Sequence, residues 1–396
     1  MSIQLNKIFS RLKIISLYGV SQSIMPIGQL AISYCIIKFR SLELWGSYVE
    51  LLIWVSLLLL FMSFGNKDIL LKNFSIDPTS IYQQWFTNVV SRCVLIIPVL
   101  IIIFLFPIFN QLQILVAFWL ILLYINQSYQ VLILYHKDFK FSLTVELIFY
   151  AFVFFFILFS INFIDLKFFI LLIVLANLIK SLSYMFFYSK QMSGVEIRFS
   201  FLHLKNSIPF FIPLTLGTVR VKIDTYFANT FFSVADIGKY QVLISFLTVG
   251  QLITTYFVNP HLKLFYRLNK SVIKRIKIQS LFFGVIYGLI FTYLISIVLS
   301  NIYQIDFSLK NYIIAYMFII PLLFQMIIIN QIYRFNKQSI VSIAALITVL
   351  LQIIIGYIVI KANGIDGAIV IKSGSQWFIT VFLWLWYKQT SKRQLV

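Results

Sequence analysis

Residues 207–244 read SIPFFIPLTLGTVRVKIDTYFANTFFSVADIGKYQVLI. Within this stretch the apolar run from 206 to 230 is about 25 residues long, enough at about 1.5 Å per residue to cross some 30 Å of hydrocarbon. A second run, 237–261, follows after a short break, so the segment predicts two membrane-spanning helices joined by a tight turn. The runs are continuously apolar and about twice the length of a barrel strand, which selects helices over a membrane β-barrel. The eleven residues GTVRVKIDTYF, 217–227, nevertheless set Arg220, Lys222 and Asp224 inside the first run.

Outward from this stretch the pattern repeats. The 396 residues are 61% hydrophobic and only 11% charged, with a mean hydropathy of +0.95, a balance that belongs to an integral membrane protein. Twelve spans are predicted, near 14–37, 45–65, 87–107, 113–135, 141–162, 168–188, 206–230, 237–261, 278–299, 311–331, 339–360 and 367–387. The first has no small-residue cleavage site after it and reads as a retained helix, not a secretory signal. The fold class is therefore all-α and polytopic. The polar loop SKQMSGVEIRFSFLHLK is the natural seam, dividing the chain into a lobe at 1–190, a connecting loop at 191–205 and a second lobe at 206–396, six helices to each lobe.

The net charge of +20 is distributed by side of the membrane. One side collects Lys7, Arg11, Lys13, Lys67, Lys72, Lys137, Lys140, Lys190, Arg198, Lys205, a run from Lys263 to Lys277, Arg334, Lys337, Lys388, Lys392 and Arg393, against only Lys38, Arg40, Lys167, Lys310 and Lys361 on the other. Positive loops stay inside, so both termini are expected in the cytoplasm. The basic excess is thus a topology signal with attraction for anionic headgroups, and no nucleic-acid partner is expected. Cys35 and Cys93 have no CxxC spacing and read as buried small hydrophobes. No phosphate-binding glycine loop, HExxH or triad pattern occurs, which disfavours nucleotide hydrolysis and metalloenzyme chemistry; no cofactor or metal is expected.

LWGSYVELLIWVSLL at 44–58 aligns with DIGKYQVLISFLTVG at 236–250, setting Gly46 and Tyr48 on Gly238 and Tyr240. Each preceding helix is interrupted, by Pro26 and Gly28 in one half and by Pro209, Pro213 and Gly217 in the other. Such breaks are either static kinks or places where a transporter helix bends.

The Gly-x-Tyr segments, FGNKDILLKNFS at 64–75, HKDFKFSLTVELI at 136–148 and above all the stretch 207–244 resemble the Wzx-type O-antigen and polysaccharide flippases of the multidrug, oligosaccharidyl-lipid and polysaccharide exporter superfamily. That resemblance implies two six-helix lobes around a central cavity in the bacterial inner membrane. It implies a non-enzymatic flippase that moves an undecaprenyl-diphosphate-linked oligosaccharide from the cytoplasmic to the outer leaflet. It also implies membrane lipids, a glycan polymerase and assembly proteins as partners.

Depth singles out the candidate substrate-binding residues. Arg220 lies about 15 Å from the outer end of its span, near mid-bilayer. It shares a helical face with Asp224, four residues on, whereas Lys222 points about 200° away from Arg220. An arginine at that depth costs at least about 2.5–3.5 kcal/mol on insertion scales unless it faces a partner or a wet space. The trio reads either as an Arg220–Asp224 pair with a snorkelling Lys222, or as the cationic lining of a vestibule for an anion such as a diphosphate. Lys372, Lys180 and Lys239 at a helix mouth, together with Gln22 and Gln29 on one face of the first helix, complete the candidate set; Arg92 is a further membrane-embedded cation. Glu50 and Glu146 are expected to be partly solvated or paired with a basic neighbour. Two other readings stand beside the flippase, a membrane glycan polymerase or ligase and a small-molecule exporter of the same superfamily. The short outer loops argue against the first and the cationic sign against the second. A tag fused after Val396 is expected to be labelled only from the cytoplasmic side; labelling in intact cells would invert this topology.

Overall fold

The computed structural model describes residues 2–160, 163–258, 270–335 and 337–393; the side chains of 2–18, Gln22, Asp68, 255–257, Lys270 and 391–393 lie outside the description. The expected run of bases from Lys263 through Arg267 and the end of the eighth span at 259–261 also fall outside it, as does Val396. Among the described residues there is helix and loop and no strand.

Among the described residues, helix is found in each of the twelve expected spans. They are α1 (Ser2–Phe39), α2 (Leu42–Ser63), α3 (Asn66–Ile76), α4 (Ile81–Arg92), α5 (Ile96–Leu105), α6 (Gln113–His136), α7 (Phe139–Phe159) and α8 (Leu166–Tyr188). They continue with α9 (Phe201–Phe231), α10 (Val234–Val258), α11 (Lys270–Ile297), α12 (Leu309–Ile319), α13 (Leu322–Arg334) and α14 (Gln338–Arg393). The third span is α4 and α5 joined by a tight 3₁₀ turn at Cys93–Leu95, and the tenth is α12 and α13 broken at Pro321. The eleventh and twelfth spans are the two arms of α14, parted at Gly364, whose φ of 55° and ψ of −133° fall where a side chain is not accommodated. Nine described segments are long and apolar enough to cross a membrane, the last of them holding both arms of α14. Helices α9 and α10 are 31 and 25 residues long but are diluted by polar and charged residues. The helix α3 lies where the sequence reading has a loop.

Local chemistry sets the ends of these elements. Ser41 Oγ accepts from Leu44 N at 3.1 Å to start α2, and Asp165 accepts from Phe168 N at 2.7 Å to start α8. In the turn before α4, Asp77 accepts from Thr79 N at 3.1 Å, Thr79 Oγ1 at 2.5 Å and Ser80 Oγ at 2.5 Å. Those hydrogen bonds hold its carboxyl down at about 2. The stability it contributes is complete above the ordinary carboxylate range and is lost only as pH falls through about 2.

By its contacts the chain divides into two compact units, residues 1–215 and 216–396, meeting inside α9. In the first unit α6 packs on α8 and α2, α1 on α7, and α7 on α8. An aromatic cluster closes one end: Trp85 lies 4.7 Å from Tyr129, Tyr129 stacks on Tyr188 at 5.9 Å, and Tyr188 donates to Asp138 at 2.9 Å. In the second unit α14 packs on α12 and α13, and α11 on both of the latter. Outward-facing rows such as Phe282, Ile286, Leu289 and Tyr293 on α11 are exposed at helical spacing and present the apolar surface that lipid requires. Cys93, expected to be buried, is exposed in the turn between α4 and α5, and Cys35 is half-buried; both are free. The break in the span removes Cys93 from the packed side.

Helix contacts in a membrane depend on close backbone approach more than on apolar burial. Gly284 on α11 faces the carbonyl oxygen of Ile320 at the α12–α13 break, and a Cβ there would collide with that backbone atom, whereas Gly374 has open space. Gly284→Val is expected to cost about 1–3 kcal/mol of stability and Gly374→Ala close to nothing. Melting in detergent, read side by side for the two variants, checks this; equal melting would mean that the α11 contact is loose.

Candidate functional site: buried charges and their partners

Asp224 is fully buried (0% exposed). Its Oδ1 sits 3.2 Å from Lys372 Nζ on the second arm of α14, and its Oδ2 accepts from the hydroxyl of Tyr240 on α10. The Lys372 ammonium also donates to the carbonyl of Val221. One carboxylate thus ties three helices through charge-assisted hydrogen bonds. The Arg220–Asp224 pairing anticipated from their shared helical face does not form. A cross-helix ammonium reaches both the carboxylate and a backbone carbonyl, satisfying more of its donors than a same-helix guanidinium would.

Arg220 instead donates to Gln376 Oε1 at 3.5 Å, and Gln376 donates in turn to Gln325 on α13. Arg220 and Asp224 are four apart on α9, and Gln376 and Lys372 are four apart on α14. The rungs 220/376 and 224/372 therefore run antiparallel. Lys222, on the other side of α9, is half-buried.

In the first unit Lys180 on α8, 9% exposed, forms an ion pair with buried Glu146 on α7, with the ring of Phe149 5.7 Å from its ammonium. Glu146 is thereby paired with a base, one of the two outcomes expected for it. Asn126, Asn177 and Ser181 form a second polar contact between α6 and α8, with Ser181 Oγ donating to Asn126 Oδ1 at 2.9 Å and Asn126 Nδ2 donating to Asn177 Oδ1 at 3.2 Å. Arg92 is fully buried and donates to the carbonyls of Ser63 at 3.1 Å and Phe64 at 3.3 Å, which end α2, and to Ser207 Oγ at 2.6 Å. A cation on terminal carbonyls gains from the helix dipole as well as from the hydrogen bonds.

The remaining candidates are dispersed. Lys239 is half-buried in the second turn of α10, 3.9 Å from Asp236. Gln29 is half-buried on α1, and the side chain of Gln22 lies outside the description. Tyr240, Gln376 and Gln325 were not singled out as site residues from sequence. Tyr240 had a signal, its place in the repeated Gly-x-Tyr, but the glutamines are ordinary polar residues whose role depends on which helices adjoin.

No protein-family model matches the chain, and no curated protein matches it. Among solved structures it is similar over 95% of its length to the lipid II flippase MurJ in an inward closed conformation, with a TM-score of 0.60, 16% identity and 87% of that chain covered. It is similar over 96% of its length to an inward-facing multidrug resistance MATE family transporter of the MOP superfamily, with a TM-score of 0.63, 10% identity and 97% of that chain covered. A MATE in complex with Br-NRF gives a TM-score of 0.53 at 11% identity, over 96% of this chain and 95% of that one. The fold is that of the MOP-superfamily transporters. The chain is a multi-pass membrane protein.

Breaking a buried ion pair from one side leaves an uncompensated charge and costs about 3–5 kcal/mol, whereas replacing both members with apolar residues is often neutral. Asp224→Asn is therefore expected to melt well below the parent protein, and the double variant Asp224→Leu/Lys372→Met to recover most of the loss. If the single and double variants melt alike, the pair is not coupled as its geometry requires.

Proposed function

We propose that the chain is a flippase that moves an undecaprenyl-diphosphate-linked oligosaccharide from the cytoplasmic to the outer leaflet of the bacterial inner membrane, with both termini in the cytoplasm. The observation that carries the reading is the membrane-embedded guanidinium of Arg220, held by a neutral amide. Asp224 and Glu146 are each occupied by a lysine, while Arg220 holds only a neutral amide among the described residues. A guanidinium has five donors in a planar fork suited to phosphate oxygens, and one long hydrogen bond leaves most of them available.

A cation exporter of the same fold is the second reading, favoured by the multidrug transporter likeness. It calls for a carboxylate free to attract its substrate; Asp224 and Glu146 are each held by a lysine, which leaves half-buried Glu50 on α2 as the carboxylate that reading would use. Whole-length similarity in fold to a lipid II flippase is in keeping with a lipid-linked diphosphate substrate. In this reading Arg220, with Lys222, engages the diphosphate. Lys372 and Lys180 position helices by pairing with carboxylates. Alternating access in this reading uses α9, where Pro209 and Pro213 each lack a backbone donor. Glycan polymerase and assembly proteins are the expected partners.

Arg220→Ala and Lys222→Ala are expected to lower surface glycan export at least about tenfold, a loss of some 1.4 kcal/mol or more of productive binding, with normal amounts of protein in the membrane. Arg220→Lys is expected to restore part of the activity, since charge survives while the fork is lost. Normal export by both alanine variants would remove the anion-site reading.

A further inference from the structure

In the second unit the end where α11 begins and α13 and α14 finish is cationic. Lys274, Arg275 and Lys277 lie in the first turns of α11, Arg334 and Lys337 at the end of α13 and just beyond it, and Lys388 near the end of α14. The sequence from 216 to 396 contains four acidic residues, and none is at this end. Asp224 is mid-span and held by Lys372; Asp236, in the first turn of α10, Asp306, before α12, and Asp366, 3.5 Å from Lys310, are at the opposite end. Among the described residues Lys274, Arg275 and Lys277 therefore form no ion pair, and the anion that balances them comes from outside the chain.

Two features make these bases a site and not only a charged rim. Lys277 is half-buried, with its ammonium 4.0 Å from the centroid of the Tyr387 ring, and that ring is 7% exposed and packed in a core with Ile328, Ile332 and Leu383. A cation seated on a fixed aromatic face keeps its position instead of sweeping through solvent. Lys274 is close enough to act on Lys277 electrostatically, and Arg334 on Tyr387, so an anion placed among them relieves like-charge repulsion. The second feature lies directly below. Lys274 heads the i, i+4 ridge that continues as Ile278, Phe282 and Ile286, and Lys277 heads the neighbouring ridge of Leu281, Val285 and Leu289; all six apolar residues are exposed. Each ridge is about 18 Å long at about 1.5 Å per residue, close to the depth of one leaflet. Two lysines, each standing over an exposed apolar ridge, match a phosphate standing over two acyl chains. A free phosphate or an acidic peptide would use the lysines and leave the ridges unexplained.

We propose that this end of the second unit selectively binds an anionic diacyl phospholipid of the surrounding leaflet, its phosphodiester at Lys274 and Lys277 and its chains along the two ridges of α11. The site is independent of what the protein transports. The full chain is reconstituted in phosphatidylcholine nanodiscs with spin-labelled phosphatidylglycerol as probe and spin-labelled phosphatidylcholine as the neutral reference, and the fraction of each whose motion is restricted is measured. A base near the membrane surface is worth about a fivefold preference for an anionic partner, so the parent protein is expected to favour the anionic probe at least about tenfold. Lys274→Gln/Lys277→Gln is expected to remove most of that preference. Lys140→Gln/Lys190→Gln, an equal change of charge on exposed lysines of the first unit, is expected to keep it. If the first double variant is not recovered in the membrane, Lys277→Gln alone decides, with an expected loss of about fivefold. Inorganic phosphate is expected to leave the probe in place. An unchanged preference in the variants of α11, an equal loss in both lysine pairs, or release of the probe by inorganic phosphate would each overturn the proposal.

Discussion

Hydrocarbon offers a buried charge no solvent, so every ionised group at membrane depth must find its counter-charge or its hydrogen bonds inside the protein. Asp224 meets that requirement by accepting from Lys372 and Tyr240 at once. Its carboxylate thereby defines how α9, α10 and the second arm of α14 approach one another. Dispersion between apolar helices does not distinguish one rotational setting from another nearly as sharply, because lipid tails pack against leucine as well as a neighbouring helix does.

The first unit solves the same problem with different residues. Lys180 and Glu146 join α8 to α7, an Asn126, Asn177 and Ser181 cluster joins α6 to α8, and Arg92 gathers the last carbonyls of α2 with Ser207 of α9. Arg92 fastens the beginning of α9 to the first unit, while Arg220 and Asp224 fasten its later half within the second. Between these anchors lie Pro209 and Pro213, each without a backbone donor.

Span positions were readable because hydrophobic run length is a one-dimensional property set by bilayer thickness. Breaks inside spans were less readable: Pro321 stops α12, Gly364 parts the arms of α14, and the turn at Cys93 exposes a thiol expected to be buried. Each depends on how the backbone meets a neighbour. The amphipathic α3 went unrecognised as a helix because three of its apolar residues, Ile69, Leu70 and Phe74, acquire meaning only through burial, with α3 packed on α4 and α6. For the site, Arg220, Asp224, Lys372 and Lys180 stood out as costly charges in apolar runs, but their partners did not. Helical spacing suggested Arg220 with Asp224, and the partner chosen lies 148 residues away.

By itself the sequence determined that this chain crosses a membrane many times as helices and carries a surplus of positive charge within it, since both follow from composition and from run length against a slab of fixed thickness. Only the tertiary structure decided which charges neutralise one another. An ion pair depends on three-dimensional proximity of a few ångströms, and residues 224 and 372 become neighbours only when α9 and α14 lie side by side.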